Sequence, residues 1–527
     1  MNLWAERNVL KGDAQGDLHP TAPITRAELA AMLDRIMGYQ TKAENTFSDV
    51  AEGAWYTDAV LKANAAGILK GDTGSAGVTA TARPEATITR QEAMVMLARV
   101  MELTGGSAVT FTDAGEIAPW ALDAVKAMTA LGYVQGSDGR LRPNDTITRA
   151  EVATLLKNLF PGYYSVSGTY TENVTGSAVI SADGTVLKDL SISGDLIIAE
   201  GVGEGHVELD GLTLGGRLIV RGGGANSVII KGNSSIASVL LSRQDGAIRL
   251  SVEGNADVSA VVIDDGSDSV KIEGSVGSVT VDAPNVTVAI TGTVKNLSVT
   301  DAATGAALTT EKGSNVSTLT VAGENTSVTV GGTVSKVEIA DTAVSTTLTA
   351  EKGSKVSTLT TAGTGTTVQG AGTVSKVEAA AGATDTTVNT SGTKVQNSSS
   401  EAVSSGTGTV APGKTGTSTG ETSKPTTGNT GSSSSDDDSG PSYTMAGDEA
   451  ALRAAAANGG HIRLGSDITL NRAALEIAAG KNVVLDLNGK TLTATTYKDN
   501  RDSSAAVTST NAILVQAAGS LTLNDTV

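Results

Sequence analysis

Apolar residues in the first 160 positions recur at helical spacing. Trp55, Ala59 and Ala63 lie at i, i+4 and i+8, and Trp120, Ala124 and Met128 repeat the pattern. Leu29, Leu33 and Ile36 form a second stripe, matched by Val152, Leu156 and Leu159. Each unit therefore reads as helix, glycine-containing loop, helix. A near-constant segment opens the second helix of each unit: PITRAELAAML from Pro23, TITRQEAMVML from Thr87 and TITRAEVATLL from Thr146. NVLKGD at Asn8 aligns with GILKGD at Gly67. The counterpart of Trp55 would then precede Met1, so the chain is expected to start inside its first repeat, any signal peptide lost with that truncation.

From about Tyr163 helical spacing gives way to alternation. GTVKNLSV, GTVSKVEI and GTVSKVEA begin at Gly292, Gly332 and Gly372, 40 residues apart by subtraction. Within that period runs a shorter beat, apolar-x-x-apolar-x-apolar, starting at Val258, Val276, Val294, Val316, Val334 and Val356. Short Val-rich strands at this spacing predict a parallel β-helix over 161–394, with one coil per roughly 20 residues. About eleven coils at about 4.8 Å each would make a stalk of roughly 50 Å. A string of small β-sandwiches is the alternative, but it needs a richer core and less regular spacing.

Residues 395–445 are rich in Ser, Thr, Gly and Asn, which predicts a flexible linker. From 446 to 527 a short helix and further strands come next, as in DEAALRAAAANGGHIRLGSDITL and LEIAAGKNVVLDLNGKTLTA. Asp486 and Asn488 there read as a turn and side-chain ladder.

Composition narrows the chemistry. A formal net charge of −18 and no basic tract argue against nucleic acid. No cysteine is present, so disulfides and thiolate metal sites are excluded. His19, His206 and His461 form no ligand motif. No window reaches membrane-spanning length. Asp264 with Asp265, the glycine run at Arg221 and the acidic run at Asp436 read as loops and solvated charge. The sequence thus assigns no catalytic residue, metal or cofactor.

The repeated segment carries the candidate chemistry. Thr25 with Glu28, Thr89 with Glu92 and Thr148 with Glu151 have capping-box spacing. Ile24 with Leu29, and Ile147 with Val152, have the spacing of a hydrophobic staple. Arg26, Arg90 and Arg149 fall at the first helical position, where a cation opposes the helix macrodipole. Two readings are open: a salt bridge to a neighbouring repeat, or a site for an external carboxylate or phosphate, which is the favoured one. Trp55 and Trp120 are either core residues or half-exposed indoles beside a glycan groove. Asp49 and Asp113 read as loop caps.

On these motifs, residues 1–160 resemble three S-layer homology motifs, the wall-anchoring module of bacterial surface proteins. The resemblance implies a pseudo-threefold all-α bundle whose grooves bind secondary cell wall polymer, often through a pyruvylated sugar. It maps the family's Arg to Arg26, Arg90 and Arg149, its Glu to Glu28, Glu92 and Glu151, and its Trp to Trp55 and Trp120. The second repeat departs in Gln91 and in a longer loop, and the first lacks its opening helix. Residues 446–527 resemble the cap and first coils of a pectate-lyase-like β-helix. The expected protein is multidomain, extracellular and associated with the wall or S-layer of a Gram-positive cell. It is non-catalytic, displays a β-solenoid, and has no assigned partner for its last domain. A cell-bound polysaccharide lyase or hydrolase lacking its catalytic part, and an S-layer lattice subunit, are the alternatives.

Overall fold

A computed structural model of the chain describes residues 1–72, 80–224, 228–244, 246–264 and 269–420. Beyond these it describes 444–446, 449–458, 460–466, 468–470, 475–477, 482–487, 490–494, 513–515 and 520–524. Two units are separated near residue 425.

The first unit begins with six helices: α1 (Asn2–Glu6), α2 (Arg26–Met37), α3 (Thr57–Ala65), α4 (Arg90–Val100), α5 (Leu122–Ala130) and α6 (Arg149–Leu159). The three long helices α2, α4 and α6 begin at the repeated segment, because each starts on a complete capping box. Thr25, Thr89 and Thr148 each accept the N–H of the Glu three residues on, whose side chain bonds back to the Thr N–H. Pairing between repeats is sequential, α2 against α3 and α4 against α5. Trp4 of α1 completes the circle by donating its indole N–H to the Ala153 carbonyl of α6, at 2.9 Å.

At the centre the three Ile-Thr segments bond head to tail. Ile24 N–H donates to Ile147 O (3.1 Å), Ile147 N–H to Ile88 O (3.1 Å), and Ile88 N–H to Ile24 O (3.0 Å). All three isoleucines are fully buried. This closed ring is the pseudo-threefold axis of the bundle.

A parallel β-solenoid of about 14 turns succeeds the bundle. In register, Val276 stacks on Val294, Val294 on Val316, Val316 on Val334 and Val334 on Val356. Every member of that column is buried, so the apolar beat of the sequence is the inward-facing rank. Where coils turn, backbones come close. Gly292 has φ +132°, and a Cβ there would lie 2.0 Å from the Gly274 carbonyl oxygen.

The solenoid extends past 394, correcting the predicted linker start at 395. Strands Lys394–Asn397, Val403–Ser405, Gly408–Val410 and Thr415–Thr417 complete it. Their interior mixes Val395, Val403 and Val410 with polar side chains, several of them hydrogen-bonded. Thr390 pairs with Thr393 at 2.6 Å, Asn397 Nδ2 donates to the Glu401 and Val410 carbonyls, and Ser418 Oγ donates to Val388 O. The last strands turn antiparallel and so close the sheet end. Asp436 and the rest of 421–443 lie outside the described residues.

The second unit contains the helix α7 (Glu449–Asn458) and a parallel sheet of Thr444–Ala446, Gly460–Leu464, Asn482–Asp486 and Ser520–Asn524. Asp486 is buried, faces Asn524 in register and pairs with Arg463 at 2.7 Å. Asn488, like Asp265, lies outside the described residues.

Candidate functional site

The three motif arginines are brought into one cyclic arrangement. Arg26 Nη1 donates to Glu92 (3.2 Å), Arg90 Nη1 to Glu151 (2.6 Å) and Arg149 Nη1 to Glu28 (2.5 Å). Each cation thus meets the capping-box carboxylate of the next motif around the axis. Each Nε also donates to a carbonyl of a neighbouring loop, at Ala82, Leu141 and Leu18. The N–H groups at the first two helical positions are occupied as well. Arg26 and Ala27 donate to Ala86 O and Pro84 O, Arg90 and Gln91 to Asp145 O and Pro143 O, and Arg149 and Ala150 to Ala22 O and Pro20 O.

Of the two readings of these arginines, the ion pair between repeats is the one observed. The neighbour's carboxylate and carbonyls offset the unfavourable position of a cation at a helix N-terminus. Burial lowers the Arg26 pKa. At Glu92, burial pushes the carboxyl up, but the bonds from Thr89 and Arg83 and the charge of Arg26 outweigh it and hold it below the ordinary value. Glu151 is held low in the same way, by Thr148 and Arg90 against burial.

The indoles stand outside this ring. Trp55 is 61% exposed and Trp120 59%. Neither lies within its helix: α3 starts at Thr57, and Trp120 sits in a 3-10 turn, Pro119–Ala121, ahead of α5. The core reading of both is corrected: their rings face solvent. The two loop aspartates act as caps. Asp49 accepts the N–H groups of Ala82 and Arg83, and Asp113 those of Leu141 and Arg142.

A groove of about 500 Å³ lies between motifs, lined by Arg26, Lys70, Asp72, Arg83, Glu92, Arg99 and Trp120 among others. Arg83 is shared between Glu92 (2.7 Å) and Asp72 (2.5 Å). Lys70 is exposed and makes no ion pair among the described residues. Arg99 donates to Ile68 O (3.0 Å) but pairs with no carboxylate among them. Burial, then the charge of Arg26, lowers its pKa. Lys70, Arg83 and Arg99 are site residues that sequence reasoning missed. A signal for two of them existed: Lys70 belongs to the repeated LKGD, and Arg99 lies nine residues after Arg90, as Arg35 does after Arg26.

The threefold relation locates counterparts. Arg35 donates to Val9 O, Arg99 to Ile68 O and Asn158 to Tyr133 O, at equivalent points of the three motifs. Lys11, Lys70 and Gln135 form the matching second set. The first two motifs therefore offer an Arg and a Lys where the third offers an Asn and a Gln.

The first coils of the solenoid pack directly on this bundle. Val179, Ile197, Ala199 and Ile219 point away from the solenoid interior and join the helical core. Arg221 donates to Val100 O (2.7 Å) and pairs with Glu102, while Arg217 donates to Met101 O (2.8 Å) and pairs with Asp195 (2.7 Å). Two solenoid cations thus cap the C-terminal end of α4. Gly38 (φ +65°) approaches Gly201 so closely that a Cβ would lie 2.5 Å from its Cα. This docking surface also escaped the sequence reading. Its signal is the unbroken apolar runs Ala178–Ile180, Leu196–Ile198 and Leu218–Val220, where a strand with one wet face would alternate.

Residues 1–30, 46–94 and 110–153 match the family model described as S-layer homology domain. The chain is 33% identical over 156 residues to a surface-layer 125 kDa protein of Lysinibacillus sphaericus, covering 28% of this chain and 13% of that relative. It is 28% identical over 162 residues to the S-layer protein sap of Bacillus anthracis (30% and 19%). It is 32% identical over 167 residues to an amylopullulanase of Thermoanaerobacterium thermosulfurigenes (30% and 9%). The chain spans less than a fifth of each of these relatives.

Proposed function

We propose, from the premise that residues 1–160 carry three S-layer homology motifs, that this chain is an extracellular wall anchor. It binds secondary cell wall polymer non-covalently, and its solenoid is a stalk that displays the C-terminal unit. The observation that carries this reading is the charge of the inter-motif groove. Arg26, Arg83, Arg99 and Lys70 against Asp72 and Glu92, four cations less two anions, leave +2 there on a chain of net −18. Local excess charge of this kind selects an anion that bulk charge would repel. Exposed Trp120 at the same groove suits the apolar face of a sugar ring, so an acidic glycan such as a pyruvylated one fits both features.

In this reading Lys70 and Arg99, the groove cations without a carboxylate partner among the described residues, take the polymer's negative charge. Arg26, Arg90 and Arg149, with Glu28, Glu92 and Glu151, frame the grooves and hold the ring closed. Trp120 stacks on the sugar, and Trp55 does the same in the groove of the first motif. The groove of the third motif, with Asn158 and Gln135, takes no acidic sugar. Residues 446–527 belong to a separate unit with the parallel strands of a β-helix.

We read the chain as non-catalytic. The enzyme-named relatives align with it only through the motif region. A wall-sedimentation assay tests the anchor. The full chain should pellet with purified Gram-positive walls and stay soluble with walls stripped of secondary polymer. Lys70→Gln with Arg99→Gln should cut the pelleted fraction at unchanged melting temperature. Equal pelleting by stripped walls would overturn the reading.

A further inference from the structure

A second cleft, of about 470 Å³, opens where α4 and α5 meet the first solenoid coils. It shares Lys70, Val95, Arg99 and Trp120 with the inter-motif groove, so the two form one continuous trough on either side of the exposed Trp120 ring. Its far wall belongs to the solenoid: Glu200, Arg221, Ser242 and Gln244. Gln244 itself ties the two parts together by donating to Ala65 O, at 3.3 Å.

Four features mark this cleft as built for a ligand. Its size falls in the range of small-molecule sites, roughly 300–1,000 Å³. Its lining carries both donors and acceptors, and apart from Lys70 and Arg99, which it shares with the groove, its charges are Arg221 against Glu102 and Glu200, one cation less two anions, a net −1 that disfavours a further anion. Tyr39 also lines it, 1% exposed, and its hydroxyl has no hydrogen-bond partner. A buried hydroxyl left unpaired costs about 1–3 kcal/mol, so a partner there is worth having. The walls are held in fixed relation by Arg217, Arg221 and the Gly38–Gly201 contact, and a preorganised cleft loses little on binding.

We propose that this junction cleft is a second saccharide subsite, built jointly by the helical module and the solenoid. It takes the uncharged, hydroxyl-bearing sugar next to the acidic one held in the inter-motif groove. The subsite rests on the groove reading and extends it. The solenoid is thereby part of the anchor as well as its stalk, and affinity depends on polymer length.

The test uses the full chain and saccharide fragments cut from the secondary polymer of Gram-positive walls, one fragment with a single repeating unit and one with two. Calorimetric titration should show the two-unit fragment binding about tenfold more tightly, equivalent to about 1.4 kcal/mol. Gln244→Trp on the solenoid wall and Thr104→Trp on the opposite wall, in the loop after α4, fill the cleft from two sides. Each should abolish that gain and leave single-unit affinity within about twofold, a change too small to count as a lost contact. Equal affinity of the two fragments for the wild type would overturn the subsite, as would a persistent gain in both variants at unchanged melting temperature. Failure of the groove reading has a different signature: neither fragment binds, or single-unit binding ignores Arg99→Gln. In that case the subsite falls with it.

Discussion

Residues of one chemical type divide their labour here by whether a carboxylate already holds them. Arg26 is buried against Glu92, whereas Arg99, one helix away, pairs with no carboxylate among the described residues and carries its charge into the groove. Removing the first leaves a half-buried carboxylate short of a partner, although Arg83 remains. Arg26→Ala should therefore cost about 2 kcal/mol, below the 3–5 typical of breaking a fully buried pair. Arg99→Gln should leave the melting temperature within a degree or two and reduce polymer binding about tenfold. Thermal denaturation beside wall sedimentation separates the two effects. A large stability loss in Arg99→Gln would contradict this division.

Protonation acts on the same ring. Glu92 and Glu151 are held low, so in acid the unfolded chain takes up their protons first. Their stabilisation is full above the ordinary Glu value of about 4.3, and it fades as pH falls through the folded values. Asp34 and Glu200, pushed up by burial, run the other way. The difference between wild type and Glu92→Gln isolates the ring. Its urea midpoint should fall less steeply between pH 5 and about 3 in the variant. Parallel curves would remove Glu92 from the account.

At the scale of the element, each motif is an incomplete structure completed by the next. The free N–H groups at the start of α2, α4 and α6 bond to loops of another motif, so no helix of the three is capped by its own repeat alone. Repeats that share a backbone ring can still differ at their rims. The third motif has Asn158 and Gln135 where the others have cations, and the expected stoichiometry is two acidic-glycan sites per chain. Asn158→Arg combined with Gln135→Lys should raise it toward three in a calorimetric titration with single-unit fragments. An unchanged stoichiometry would mean that the rim cations are not what qualifies a groove.

Over the whole first unit, helices and solenoid share a core. Val179, Ile197 and Ile219 sit in the helical cluster while their neighbours in sequence fill the solenoid. Solenoid coils contact only adjacent coils, so the first ones transmit the docking to the rest. Bundle and early coils should melt in one calorimetric transition. Arg217→Met with Arg221→Met removes the caps on α4 and leaves Glu102 and Asp195 unpaired. That pair of changes should split the transition, with the helical part melting first. A single transition in the variant would show that the apolar contact suffices.

Much of this was legible in the residues because it is periodic. Capping boxes need only a Thr and a Glu three apart. The solenoid comes from a Val beat that tolerates one inward rank per coil, and the repeats declare the three motifs by self-similarity. Composition misled between 395 and 420, because a solenoid interior accepts Ser, Thr and Asn where nearby turns and strands supply hydrogen bonds, as the Glu401 and Val410 carbonyls do for Asn397 and Val388 O does for Ser418. The partners of Arg26, Arg90 and Arg149 lie 66, 61 and 121 residues away in sequence, a pairing that only closure of the ring creates. Whether Trp120 was core or rim depended on how the turn ahead of α5 sits against the neighbouring motif. The junction cleft exists only because strands from residues 178 to 244 fold back onto α4 and α5. Local pattern determines which elements form, since each is selected by contacts a few residues apart. Tertiary structure alone decided which cations stayed free, because charge is cancelled by neighbours in space.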